Sequence, residues 1–188
     1  WNTQETNPLY QVANLQETLD KNIILGNYQA EFTPTESINL SAKYAFDRRT
    51  STIRELEPYD FLVKSAVKGV LNKSQGDLYR TNDLTMNQTL QLTSHFSKKF
   101  SAWNTNVKLS YLYEDFHYEY SSMYGAKFAV SGNPNFNAIQ GDKQTYSWNQ
   151  TVRAENVFGI AQLDYRDKYL FDVMYRYDGS SKFGEEAR

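Results

Sequence analysis

The strongest constraint on the fold is an alternation of apolar and polar residues that recurs in six segments of the chain. In the last segment, residues 169–177, every odd position is apolar or aromatic. Asp172 and Arg176 occupy even positions, and Met174 is the apolar exception. A period of two is typical of a β-strand with one apolar and one polar face. Aromatic residues at both ends of the apolar face are typical of strands that cross a bilayer.

The other alternating segments are residues 24–32, 38–46, 85–96, 107–113 and 157–165. Short breaks, at residues 33–37, 97–101 and 166–168, separate the members of three successive pairs. The first break contains Pro34 and the last is the sequence Arg-Asp-Lys. Such breaks between alternating segments predict three β-hairpins.

The connections between these hairpins are much longer, at about residues 48–84 and 114–154. Short turns on one side and long loops on the other indicate the wall of an outer-membrane β-barrel, with periplasmic turns and extracellular loops. About six strands cannot close, because single-chain barrels begin at about eight. Unpaired edges in lipid are costly, so we expect this chain to be an internal piece of a longer antiparallel barrel.

Amino-acid composition further narrows the classes of protein to which the chain can belong. Aromatic residues make up 15% of the chain, with 15 Tyr and 3 Trp, yet no apolar run approaches the length of about 20 residues that a membrane-spanning helix needs. The absence of cysteine excludes disulfides and cysteine-based zinc sites. A formal net charge of -2 gives no reason to expect a nucleic-acid partner.

Catalytic motifs are absent from the sequence. There is no Gly-x-Ser-x-Gly, no Gly-rich phosphate loop and no paired carboxylate frame, and only two histidines are present. Glu114, His117 and Glu119 could be drawn as a metal cluster, but their spacing matches no familiar ligand pattern. We therefore predict no enzyme activity, no metal site and no cofactor.

A group of aromatic residues lies in or beside the second long connection: Tyr118, Tyr120, Tyr124, Tyr146 and Trp148. Flat rings with a polar handle can stack on a sugar face or a peptide side chain. Alternatively, they pack against one another to order the loop or belong to the upper aromatic girdle. Both interpretations remain open, and the five residues are our candidates for ligand contact.

The end of the last segment carries a motif of the form Arg-x-Asp-Gly-Ser-Ser-x-Phe-Gly, made by Arg176, Asp178, Gly179, Ser180, Ser181, Phe183 and Gly184. We expect it to stop the strand, with Gly179 free to adopt a positive φ. The motif resembles a signature of the SusC/RagA family of TonB-dependent outer-membrane transporters. The preceding hairpin, residues 157–170, resembles the strand-turn-strand that leads into that signature, and residues 7–10 with the hairpin at 24–47 are similar to the family's entry into two mid-barrel strands.

The resemblance implies a plugged barrel of about 22 strands, of which residues 1–188 are part of the wall, with the plug and the remaining strands absent. Such transporters import oligosaccharides or peptides across the bacterial outer membrane, whose lipid surrounds them. They pair with a SusD-like surface lipoprotein as a lid and draw energy from the TonB complex. Neither the plug nor the motif that couples to the TonB complex is among the residues present here.

Two other classes remain as alternatives. A soluble β-sandwich carbohydrate-binding module would also alternate and carry aromatics, but its turns should be of similar length at both ends. A β-rich hydrolase would need a convergent catalytic pair, which the sequence does not contain.

Overall fold

The computed structural model describes residues 8–64 and 70–182 and is dominated by long β-strands. A short helix, α1 (Pro8–Asn14), precedes the first strand. Six strands form one sheet in chain order, and two short strands form a separate hairpin. The six are β1 (Gln16–Thr35), β2 (Ile38–Glu57), β5 (Asp77–Phe100), β6 (Trp103–Ala126), β7 (Lys143–Tyr165) and β8 (Tyr169–Ser180). The small hairpin consists of β3 (Leu62–Lys64) and β4 (Leu71–Lys73).

The three predicted hairpins are confirmed, with turns at residues 36–37, 101–102 and 166–168. In the last turn Arg166 and Asp167 both have positive φ, 55° and 56°, and the Lys168 N–H donates to the Tyr165 carbonyl at 3.1 Å. Two central residues with positive φ characterise a type I′ turn, whose twist matches that of the flanking strands. Because strands joined by such tight turns run antiparallel, the sheet is an antiparallel meander.

The register of β7 and β8 produces one uniformly apolar face. Odd positions pair with odd positions, from Val157 opposite Tyr177 to Tyr165 opposite Tyr169, with Ala161 opposite Val173 midway. The other face is mixed, since Gln162 lies opposite Asp172 and Phe158 opposite Arg176. A β-sandwich would need a second sheet facing the first, and the described residues contain only the six-stranded sheet and the small hairpin.

The strands are longer than predicted, and the two long loops were assigned too broadly. Within residues 48–84, β2 continues to Glu57 and β5 begins at Asp77, so the true connection is 58–76. Within residues 114–154, β6 continues to Ala126 and β7 begins at Lys143. The apolar–polar alternation fades in these strand extensions. A strand needs an apolar face only where one side is shielded from water, and elsewhere its backbone hydrogen bonds to neighbouring strands are sufficient.

The chain forms two compact units. The first, which we call the turn unit, consists of Ile23–Arg48, Thr85–Tyr118 and Gln150–Arg188 and contains the three short turns. On its polar face, hydrogen bonds link neighbouring strands: Asn106 Nδ2 donates to Gln162 Oε1 at 3.3 Å, and the Thr93 and Ser110 hydroxyls are 3.1 Å apart. On its apolar face the Tyr28 and Phe46 rings stack with centroids 6.5 Å apart.

The second, the loop unit, consists of Trp1–Asn22, Arg49–Leu84 and Glu119–Asn149. Its buried core is Leu56, Leu78, Phe128 and Ile139. The connection at 127–142 folds back on itself, because Phe128 forms a β-bridge with Ile139, and contains a short 3₁₀ helix, Phe136–Ala138. These connections are therefore organised around a small core of their own.

Among the described residues, no helix is both long enough and apolar enough to cross a membrane.

Candidate ligand-binding site

The five aromatic residues proposed as ligand contacts lie on strands, which corrects their assignment to a loop. Tyr118, Tyr120 and Tyr124 are on β6, and Tyr146 and Trp148 are on β7. Tyr118 falls in the turn unit and the other four in the loop unit. A strand backbone holds these rings more rigidly than a long loop would, because each residue is fixed by its ladder.

Three tyrosines from adjacent strands of the loop unit come together, and we call them the tyrosine cluster: Tyr79, Tyr120 and Tyr146. The Tyr79 and Tyr120 hydroxyls are 3.3 Å apart. The Tyr120 and Tyr146 rings have centroids 6.1 Å apart with an interplanar angle of 58°, a tilted arrangement that the ring quadrupoles favour. The cluster therefore spans β5, β6 and β7.

Both interpretations of the aromatic group find some support in this geometry. Tyr120 is half-buried between its two neighbours, as expected of rings that order one another. Tyr146 and Trp148 remain 59% and 43% exposed, and as residues two apart on one strand they present their side chains on the same face. That pair therefore offers ring surface to a ligand, and ligand contact stays a prediction.

Tyr79 was not among the sequence candidates, because it lies in the region assigned to the first long loop. The signal available was weak: an isolated tyrosine in Asp77-Leu78-Tyr79-Arg80, ahead of the alternating segment that begins at Thr85. Its partnership with Tyr120 depends on the pairing of β5 and β6, which can be read only from the structure.

Two partly buried carboxylates of the loop unit, Asp77 and Glu57, have a raised pKa. The Tyr124 hydroxyl donates to Asp77 Oδ2 at 3.5 Å. Burial raises the pKa of Asp77 above its usual value, and hydrogen bonds from Tyr124 and the Glu57 backbone partly oppose this. Burial likewise raises the pKa of Glu57, with the Asp77 charge adding to the effect and a hydrogen bond from Ser74 opposing it.

The tyrosine cluster and the two carboxylates offer groups that can bind a ligand. Phenol hydroxyls donate and accept hydrogen bonds, carboxylates accept them from sugar hydroxyls or peptide N–H groups, and exposed rings stack.

The two histidines lie in the turn unit, where His95 Nε2 contacts Asn106 Oδ1 and His117 Nδ1 is 2.9 Å from Thr151 Oγ1. No group of three metal-ligating side chains converges within residues 8–64 and 70–182.

The signature motif fastens the end of β8 to β7. Ser181 N–H donates to the Arg153 carbonyl at 2.8 Å, and Ser181 Oγ accepts from the Arg153 N–H at 2.9 Å. Arg176 Nε donates to Asp178 Oδ2 at 2.7 Å. The strand ends at Ser180, close to the predicted stop.

The expectation of a positive φ at Gly179 was wrong. Gly179 pairs with Glu155 in the β7–β8 ladder, which keeps its backbone extended, and the positive-φ glycines of the described residues are Gly76 and Gly132. Ser180 Oγ accepts a hydrogen bond from the Lys182 N–H at 3.3 Å. Phe183 and Gly184 lie outside the described residues.

Comparison with known proteins gives two kinds of match. By sequence, the chain is 24% identical over 165 residues to the TonB-dependent receptor P3 of Formosa agariphila, covering 86% of this chain and 16% of the receptor. No protein-family model matches the chain.

By structure, it is similar to a chain of the RagAB peptide transporter, with a TM-score of 0.78 and 11% identity over 95% of this chain and 20% of that one. The RagAB peptide importer in its closed-closed state matches with a TM-score of 0.70 and 11% identity over 93% of this chain and 19% of that one.

The chain thus spans about a fifth or less of the length of the proteins it matches. The structural likeness extends over nearly all of its residues, so the fold is that of a segment of a transporter barrel wall. The resemblance to SusC/RagA transporters predicted from residues 157–184 is confirmed by these matches.

Proposed function

We propose, from this resemblance, that the chain is part of the barrel domain of an outer-membrane, TonB-dependent importer of oligosaccharides or oligopeptides. One observation carries the proposal. The chain forms a meander of long antiparallel strands with one apolar face, and 95% of the chain superposes on about a fifth of a chain of the RagAB peptide transporter. The uneven connections, short at one end and long at the other, agree with a barrel wall.

The apolar face of the turn unit is the surface we assign to lipid. On β7 and β8 it consists of paired residues from Val157 and Tyr177 to Tyr165 and Tyr169. A lipid-facing band requires apolar side chains flanked by aromatic ones, and both are present here. The opposite face, with Asn106, Gln162 and their hydrogen bonds, is the one we assign to the lumen.

The loop unit is the part we assign to ligand capture, on the extracellular side. Within this unit the Tyr120 and Tyr146 rings contact each other, and Tyr146 and Trp148 keep exposed ring surface. These rings support the assignment, because flat rings with a polar handle stack on sugar faces and peptide side chains.

Partners follow from the same resemblance. A SusD-like lipoprotein would close over the extracellular end, and the TonB complex would supply energy through a plug that belongs to the rest of the protein. We propose that the ligand passes unaltered, because the described side chains that come together in the loop unit are phenol rings and carboxylates suited to binding.

Calorimetry on the full-length transporter with its lid partner tests the ligand site. Trp148→Ala and Tyr146→Ala should each weaken binding of the transported oligomer several-fold, because stacking contributes about 0.5 to 1.5 kcal/mol beyond area burial. Tyr175→Ala is the matched control, an equally exposed tyrosine on the face assigned to lipid. Affinities that stay unchanged in both loop-unit variants would remove these rings from the site.

Either class of oligomer is compatible with this set of side chains. A peptide library and a glycan library should therefore be screened before the calorimetry. Conversion of the bound oligomer into products by the purified protein would contradict the importer proposal itself.

A further inference from the structure

The turn end of the apolar face carries a second cluster of aromatic residues, which we call the turn-end girdle: Phe96, Phe100, Trp103, Tyr165 and Tyr169. Their rings are in contact in groups. Phe96 and Phe100 have centroids 6.4 Å apart, Trp103 and Tyr165 4.7 Å, and Tyr165 and Tyr169 6.5 Å. On β7 and β8 they belong to the uniformly apolar face.

Two cations lie against this girdle. Lys98 Nζ is 5.2 Å from the Phe100 ring centroid, and the Arg166 guanidinium carbon is 5.1 Å from the Tyr165 ring centroid. Lys98 has even numbering on β5, as Phe96 and Phe100 do, so it projects on their side of the sheet. Both side chains are exposed, and among the residues that the structure describes neither forms an ion pair.

Lys98 lies near the end of β5, shortly before the β5–β6 turn, and Arg166 lies in the β7–β8 turn. The Arg166 N–H donates to the Ala102 carbonyl at 2.8 Å, which ties the β7–β8 turn to the β5–β6 turn. Acidic residues are present at this end, with Asp167 in the β7–β8 turn and Glu36 in the β1–β2 turn. Lys98 and Arg166 nevertheless place exposed positive charge beside the aromatic rings of the turn-end girdle.

An apolar depression of about 520 Å³ lies on the same unit. Its lining is mostly aliphatic and aromatic and comes from five strands, including Ala30, Phe32, Leu40, Ala42, Leu109 and Val157. The lining combines small residues such as Ala30 and Ala42 with larger ones such as Phe32 and Leu40. A surface of this kind fits a hydrocarbon chain.

We propose that the turn-end girdle is a binding site for an anionic glycerophospholipid, with Lys98 and Arg166 holding the headgroup phosphate and the apolar depression taking part of an acyl chain. Cations near a membrane surface attract anionic headgroups, and aromatic rings favour the interfacial level. The inference rests on the proposed membrane insertion and adds a lipid class and two residues to it.

The test uses the purified full-length protein, with phosphatidylglycerol and phosphatidylcholine as probes and native mass spectrometry to count bound lipid. Wild type should retain phosphatidylglycerol in preference to phosphatidylcholine. The double variant Lys98→Gln with Arg166→Gln should bind phosphatidylglycerol about 30-fold more weakly, at about fivefold per charge. Lys99→Gln removes the adjacent cation, which lies on the opposite face of the strand, and should leave binding within about twofold of wild type.

Equal retention of the two lipids, or an equal loss in Lys99→Gln, would overturn the proposal. A third arm adds inorganic phosphate at constant ionic strength. Displacement of the lipid by millimolar phosphate would mean that the cations form a free-phosphate site, and it too would overturn the assignment to lipid.

Resistance of the barrel to unfolding in unheated detergent distinguishes a failure of this inference from a failure of the proposed function. A protein that is folded in the membrane but shows no lipid preference contradicts this inference alone. A protein that does not enter membranes contradicts the proposed function.

Discussion

Arginine substitutions at two adjacent positions of β8 test the assignment of the sheet faces. Val173 lies midway between Tyr169 and Tyr177 and pairs with Ala161. At about 3.3 Å per residue it is about 13 Å along the strand from each ring. A strand tilt of about 40° converts this to a depth of about 10 Å, close to the middle of an apolar band about 25 Å tall.

An arginine at that depth on the lipid face costs about 2 to 4 kcal/mol, which lowers the equilibrium between inserted and non-inserted protein about 30-fold to 900-fold. Met174 is at nearly the same depth on the other face, opposite Ile160. Met174→Arg loses that apolar contact, worth about 1 kcal/mol, but keeps a path to water in the lumen.

The assay compares full-length Val173→Arg and Met174→Arg with wild type. It measures the amount of folded barrel in outer-membrane fractions and the urea dependence of insertion into lipid vesicles. Val173→Arg should be depleted far more strongly than Met174→Arg. Equal depletion, or a stronger defect in Met174→Arg, would refute the assignment of the odd-numbered face to lipid.

Two further predictions concern the loop unit and the turns. Single cysteines replacing the exposed residues Gln75 and Asn135 should react with a membrane-impermeant reagent on intact cells, whereas one at Thr35 should react only after the cells are opened; the reverse pattern would invert the topology. Gly76→Ala should expose the loop unit to proteolysis more than Gly132→Ala does, because both glycines have positive φ but only at Gly76 would a Cβ meet the Phe128 ring, at 2.6 Å. Overpacking of this kind costs about 1 to 3 kcal/mol, and equal protease sensitivity of the two variants would show that the contact with Phe128 is unimportant.

The turn unit could be predicted from the sequence because a sheet with one apolar and one polar face imposes a period of two. The hairpin at residues 157–177 is the clearest case, since its odd positions are almost uniformly apolar and Arg166 and Asp167 supply the turn. The alternation in residues 85–96 was a weaker signal because this segment is rich in polar side chains, such as His95, which contacts Asn106 on the polar face.

The loop unit could not be predicted because nothing comparable constrains its strands. Residues 119–126 carry polar side chains on both faces, such as Ser121 and Ser122, so β6 continues to Ala126 without alternation that marks it. The tyrosine cluster depends on the cross-strand register that brings Tyr79 to Tyr120. The error at Gly179 has a related cause, since its pairing with Glu155 overrides the local freedom of glycine.

Uptake by living cells tests the central claim most directly. Cells with and without the intact gene for the full-length protein would be given isotope-labelled peptides and glycans, and the labelled material inside the outer membrane would be identified by mass spectrometry. The account predicts accumulation of an intact oligomer that requires both this protein and a functional TonB complex. Accumulation that is unchanged when the protein is removed, or release of cleaved products by the purified protein, would contradict it.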